Sequence, residues 1–268
     1  MLFPGKDAGE PHAPTFEHST KVSYLPHGGQ KTKNHSSEPE PAEMTHYKLL
    51  SYYLSTTTPT PAEVVLPPVI HPVARIDRGD VANCSRLEIF NHCGTHIDTP
   101  NHFFADGKKL TDFSVEDYIF DRPLILDIPK EDKGLIEVSD LEEATTRIAV
   151  CDLLMLRTGF QKHRATDPER YRWKGPGVSG DAARFLMKSF PDLRGVALDL
   201  VSLDWTEDHS HNFEAHRALL GDKQRPMFII EDVDLAFDAS GLKRILAIPL
   251  FVEEIDSGPC TVLAEFES

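Results

Sequence analysis

The stretch Asn91-His92-Cys93-Gly94-Thr95-His96-Ile97-Asp98-Thr99-Pro100-Asn101-His102-Phe103 decides how this chain is read. It gathers three histidines and one aspartate, all of them ligand types for a divalent metal such as zinc or manganese. The stretch is a poor helix. Gly94 is flexible, Thr95, Ile97 and Thr99 are β-branched, and Pro100 is a breaker. Upstream, Ser85-Arg86-Leu87-Glu88-Ile89-Phe90 alternates polar and apolar residues, which predicts a strand leading in. We read a strand, a tight turn at Gly94, and a short extended piece in which His96 and Asp98 share a side. His92 comes from the other arm of the turn, and His102 follows the Pro100 bend. The rival reading is a surface loop of unrelated polar residues. Four ligand-type side chains around one glycine and one proline favour a metal site.

The rest of the composition narrows the setting. The chain has 268 residues, room for one good-sized domain and a tail, or for two small domains. Hydrophobic residues make up 40% and charged residues 26%, as in ordinary soluble globular proteins. No apolar run is long enough for a membrane span, and the first residues lack the apolar core of a signal peptide. The net charge of -15 disfavours nucleic acid or an anionic membrane as partner. Cys84, Cys93, Cys151 and Cys260 are scattered without a CxxC, so reduced thiols and a cytoplasmic location are expected. Cys93 reads as a small wall residue rather than a ligand.

Residues 1–45 are rich in Pro, His, Ser, Glu, Lys and Gly and predict a disordered extension; 46–268 form the ordered domain. Strands are expected at 49–54, 81–90, 122–128, 152–159, 195–204, 227–231, 245–252 and 260–266, the last two joined by a turn at Gly258-Pro259. Helices are expected at 114–119 with a Ser cap, from 139, at 180–190, and at 212–221 with an Asn cap and a Gly stop. Asp199 and Asp204 are further acids that either approach the site or orient loops. No Gly-x-Ser-x-Gly elbow and no phosphate-binding glycine loop is present.

His92-x-Gly94-Thr95-His96-x-Asp98-x-Pro100-x-His102-Phe103 resembles the signature of the cyclase family of metal-dependent hydrolases, which includes bacterial kynurenine formamidases and isatin hydrolases. The resemblance runs from about Tyr47 to the C-terminus. Residues 153–159 are similar to the family's LLRTG, 195–204 to its GxDxxSxD, and 216–220 to its HxxLL. It implies an α/β fold with a central mixed, partly barrel-like β-sheet and peripheral helices, of the swivelling β/β/α type. It implies a metal set of His92, His96, Asp98, His216 and Glu231, in which Asp98 and Glu231 can bridge two ions. The cofactor is then a divalent metal, Zn2+ or Mn2+, one or two ions. His102 lies outside the ligand set and is expected to act as general base and then general acid.

The expected reaction is hydrolysis of a non-peptide C–N bond in a small aryl formamide or cyclic amide by metal-activated water. The expected partners are a small-molecule substrate and a second copy of the chain, as a dimer or tetramer. Two alternatives stand beside it: a lactone or ester hydrolase or cyclase on the same centre, and a metal-binding pseudo-enzyme. The chain departs from kynurenine formamidases at 67–72. Pro67-Pro68-Val69-Ile70-His71-Pro72 stands where they carry an aromatic residue with Pro-Gly-Asp.

Overall fold

The computed structural model describes residues 46–205 and 213–267; the expected N-terminal extension lies outside them. The strands are β1 (His46–Leu49), β2 (Val69–Ala74), β3 (Cys84–Glu88), β4 (His96–Asp98), β5 (Ile119–Phe120), β6 (Pro123–Asp127), β7 (Leu135–Ile136), β8 (Leu153–Arg157), β9 (Gly177–Val178), β10 (Gly195–Leu198), β11 (Phe228–Glu231), β12 (Leu242–Pro249) and β13 (Ser257–Phe266). The helices are α1 (Val138–Glu142), α2 (Thr145–Ile148), α3 (Pro168–Trp173), α4 (Gly180–Ser189) and α5 (Glu214–Leu220).

Among the described residues, nine strands form one mixed sheet in the order β5-β12-β13-β4-β11-β10-β8-β6, with β1 paired to β13. The β6-β8-β10-β11 half is parallel, and β4 joins it antiparallel to the β5-β12-β13 half. β6, at one end of the order, also lies against β12 near the other, so the sheet curls towards a barrel. This is the mixed, partly barrel-like sheet that the family resemblance implies.

Alternation along the strands sorts two cores. Ile97, Leu153, Met155, Phe228, Ile230, Ile245 and Val262 fill the inside of the curl. Leu154, Leu156, Val196 and Ile229 face the other way and pack on helix residues such as Leu186 and Leu219. Ile97 points inward, so its neighbours His96 and Asp98 project on the helix side. Glu231 shares that side with Ile229, and α5 brings His216 over it.

Several elements differ from expectation. The first strand is β1, earlier than 49–54; beyond it Ser51 makes only an isolated bridge to Val233. The strand leading to the motif exists, but β3 pairs with β2 in a separate exposed ribbon outside the main sheet. That ribbon contains 69–72, the last four residues of the segment 67–72 that departs from kynurenine formamidases. The strand expected at 195–204 stops at Leu198. Asp199 then accepts from the Thr158 N–H and hydroxyl and from the Gly159 N–H, which anchors the turn after β8. The cap of α5 is Phe213, in the left-handed region at φ 54, and Asn212 lies outside the described residues.

Gly258-Pro259 is not a turn. Both residues lie inside β13, opposite Ile97 and His96 of β4. The proline costs no partner there: its carbonyl accepts from Leu250 N–H, and the next amide, Cys260, donates to Thr95 O. The connection from β12 to β13 is instead the loop at 250–256.

Candidate metal centre

The turn that opens the motif is built around Gly94, at φ +66. A Cβ there would sit 2.5 Å from the Leu54 side chain, so both the backbone and the space call for glycine. Thr95 fixes the next position: its hydroxyl donates to Asp232 O at 2.6 Å and accepts from Tyr52 N–H at 3.0 Å. Behind it, Asp232 is held by Arg164 at 2.7 Å and by the Tyr171 hydroxyl at 2.7 Å, a buried ion pair with a third partner. Pro100 then starts a single 3-10 turn that turns His102 back towards the site.

β4 and β11 are in register so that Glu231 faces His96. On this frame five side chains converge. His92 Nδ1 is 3.1 Å from Asp98 Oδ1, and His96 Nε2 is 3.6 Å from the same oxygen. His96 Nε2 is 3.2 Å from Glu231 Oε2, and His216 Nε2 is 3.2 Å from Glu231 Oε1. His216 Nε2 is 3.8 Å from Asp98 Oδ2. Each carboxylate thus turns one oxygen to His96 and the other to His216. All but His92 are almost fully buried.

These separations match those between atoms that share one ion. Ligands about 2.0–2.2 Å from zinc lie roughly 3.2–3.6 Å apart around a tetrahedron. Hydrogen bonding does not account for them: His96 Nε2 and both Asp98 oxygens are buried and, despite their closeness to ionic partners, make no aligned hydrogen bond. Orphaned buried nitrogen and oxygen at one point are costly unless a cation satisfies them. The nitrogen that each histidine turns away is occupied: His96 Nδ1 on Gly94 O at 2.8 Å, His216 Nδ1 on Asp204 at 2.5 Å, His92 Nε2 on Asp256 at 3.0 Å. Metal-ligating histidines show this pattern, because the outer acceptor fixes the ring. The donor set fits a divalent cation.

Electrostatics agree. Burial opposes a charge on Asp98, but His92 and His96 outweigh it and hold the carboxyl well below its usual range. Burial likewise opposes Glu231, yet His216 and His96 bring it down to about 2. Burial would lower His92 and His216, but Asp98 and Asp256 raise the first, and Asp204 and Glu231 the second, each to about 10. The carboxylates stand ready as anions, and the ring protons are what a cation must displace.

His102 sits beside this set. Its ring is 4.1 Å from that of His92 and 6.0 Å from that of His216, and its Nδ1 is 2.8 Å from Asp256. Phe103 and Phe213, 5.4 Å apart, form an aromatic wall next to His216. Cys93 is fully buried away from the set, its thiol pushed up to about 11 by burial. Of the two acids left open by sequence, Asp204 reaches the site through His216, whereas Asp199 orders a loop. Asp256 has no counterpart in the sequence reading. It closes the β12–β13 loop after Glu253 and Glu254, where it reads as one more solvated acid.

Comparison with known proteins identifies the family. The family described as "Putative cyclase" matches residues 33–205. A kynurenine formamidase of Bacillus cereus is 29% identical over 177 residues, covering 66% of this chain and 77% of the relative. Isatin hydrolase A from Labrenzia aggregata superposes with a TM-score of 0.71 at 19% identity, over 84% of this chain and 94% of that one. A predicted metal-dependent hydrolase from Bacillus stearothermophilus superposes with a TM-score of 0.64 at 20% identity, over 83% of this chain and 98% of that one. With the signature of residues 92–103 folded into a cluster of ligand-type side chains, and the family match spanning residues 33–205, this protein belongs to the cyclase family.

Proposed function

We propose that this protein is a metal-dependent hydrolase of a non-peptide C–N bond in a small aryl formamide or cyclic amide. The observation that carries this reading is the buried point where His96 Nε2 and both Asp98 oxygens lack hydrogen bonds while five ligand-type side chains converge. His92, His96, Asp98, His216 and Glu231 would hold Zn2+ or Mn2+. The division of each carboxylate between His96 and His216 suits one ion or a bridged pair. A bound divalent ion supplies a polarised carbonyl and a water made acidic near neutral pH.

The chain's own groups do the rest. His102 takes a proton from the attacking water and returns it to the leaving nitrogen; a ring nitrogen of it lies within 4.8 Å of ligand atoms on Asp98 and His216, and its Nδ1 is taken by Asp256 at 2.8 Å. Phe103 and Phe213 offer an aromatic wall beside the reacting centre, which suits an aryl substrate. The names of the relatives, a kynurenine formamidase and isatin hydrolases, point to the same class of bond. We place the protein in the cytoplasm as a homo-oligomer. Free cysteines support the first, and the apolar side chains of Val69, Ile70 and Val73 exposed on the β2–β3 ribbon support the second.

The test is metal analysis of the purified protein together with a screen of aryl formamides, cyclic amides and lactones. Metal-dependent turnover of a formamide or cyclic amide supports the proposal. Turnover of lactones alone moves the activity to ester chemistry, and bound metal with no turnover of any class makes the protein a metal-binding pseudo-enzyme.

A further inference from the structure

One oxygen joins an expected ligand to the expected proton carrier. Asp256 Oδ2 lies 3.0 Å from His92 Nε2 and 2.8 Å from His102 Nδ1. Its other oxygen accepts from Asn91 Nδ2 at 2.8 Å. Its main-chain carbonyl accepts from the Thr99 N–H at 3.0 Å and the Thr99 hydroxyl at 2.7 Å. Asp256 is therefore tied at both ends to the segment that carries the motif. Asp204 and Gly94 O, the acceptors behind His216 and His96, each serve one ring. Among the described residues, Asp256 alone accepts from two of the site's histidines.

A carboxylate can only accept, so a ring nitrogen that bonds to it must carry the proton, and in a neutral imidazole the other nitrogen is then bare. For His92 the bare nitrogen is Nδ1, which faces Asp98 Oδ1 at 3.1 Å and the ligand set. For His102 it is Nε2, leaving a lone pair to take a proton; the His102 ring reaches within 4.8 Å of ligand atoms on Asp98 and His216. Had either ring the opposite tautomer, His92 would turn an N–H towards the cation, or His102 would have no free lone pair on the substrate side.

We propose that Asp256 is a positioning residue that fixes the tautomers of His92 and His102 together, so that one carboxylate serves ion retention and proton transfer at once. Its purpose rests on the hydrolytic reading above. Alanine at this position leaves neither ring an acceptor, because the one oxygen that meets both, Oδ2, is removed. The two histidines are thereby coupled through a loop that belongs to neither ligand strand.

The experiment uses zinc-loaded protein with 15N-labelled histidine. Long-range proton–nitrogen spectra report which ring nitrogens carry protons. The expected wild-type result is a proton on Nε2 of His92 and on Nδ1 of His102. In Asp256→Ala, which offers no acceptor to either ring, at least one of these signatures is lost, and zinc affinity falls about 10- to 100-fold. At saturating zinc, kcat falls by a similar factor with KM little changed. A wild-type spectrum with a bare Nδ1 on His102 or a bare Nε2 on His92 overturns the proposal, and that measurement needs no variant to fold. Asp256→Ala with both tautomers and zinc affinity retained overturns it too, whatever happens to the rate. If wild type hydrolyses no formamide or cyclic amide, the substrate reading fails, and the tautomer and zinc readouts still decide the role of Asp256.

Discussion

Glu231 and His96 stand opposite each other in the β4–β11 register, and their side chains meet at 3.2 Å without an aligned hydrogen bond between them. Two distant parts of the sequence are brought to one buried point by a backbone ladder. The pairing is rigid because Ile97 and Ile230, on the opposite faces of the same strands, are locked in the inner core. On the proposed reading, function depends on the sheet placing a pair of ligands that neither strand could present alone.

His102→Ala should separate chemistry from binding. Its ring borders the ligand set, and Asp256 rather than the cation claims its Nδ1. Turnover should fall roughly 100- to 10,000-fold while metal content stays at the wild-type level. Steady-state rates with metal analysis of the same preparation check this. Loss of metal with the rate would make His102 a ligand.

Arg164→Leu should be among the most destabilising changes outside the proposed ligand set. Asp232 is 1% exposed, and burial pushes its carboxyl up while Arg164 and Tyr171 hold it down. Removing the guanidinium strands a buried carboxylate, at a cost of about 3–5 kcal/mol. Denaturant unfolding of both proteins reads the difference directly. A change of a few tenths of a kcal/mol would mean that the pair does not carry the Thr95 turn.

The metal-free protein should lose stability as the pH rises through the histidine range. His92 and His216 are raised from 6.5 to about 10 in the folded chain. A group raised on folding contributes fully below its unfolded value and loses that contribution up to its folded one. Stability should therefore decline between pH 6.5 and about 10. At the acid end Glu231, depressed from 4.5 to about 2, loses its contribution as the pH falls through that interval. Saturating zinc should reverse the alkaline trend, since protons leave the rings before the ion binds. Unfolding midpoints across pH, with and without zinc, test the sign.

Gly94→Ala should weaken the turn without touching a ligand. The φ of +66 alone costs an alanine about 1–2 kcal/mol, and the new methyl meets Leu54. A thermal melt that drops, with metal binding recovered at low temperature, is the expected result; an unchanged melt would show that the turn tolerates a side chain.

Much of the site was legible in the sequence because local rules govern it. Alternation over 96–98 placed His96 and Asp98 on one side, Gly94 and Pro100 marked the turn and the bend, and the apolar run at 227–231 ended in Glu231 as a strand. That His216 and Glu231 meet the motif came from family resemblance, since no local rule reports which strands pair. The misses share this cause. Residues 85–90 alternate like a strand, but alternation does not say that the partner is β2 in an outlying ribbon. Gly258-Pro259 carries a strong turn signal that tertiary pairing overrides, because β4 and β12 ask for the Pro259 carbonyl and the Cys260 N–H and never for the missing proline N–H. Reading a turn there moved the loop by several residues and hid Asp256.

The central claim is that these five side chains hold a divalent ion on which C–N bond hydrolysis depends. Titration of zinc or manganese into metal-free wild type and Asp98→Ala, with turnover of an aryl formamide or cyclic amide followed at each point, tests it most directly. Wild type should bind one or two ions saturably and gain activity in step, and Asp98→Ala should do neither. Equal binding by Asp98→Ala, or wild-type activity indifferent to the ion, would contradict it.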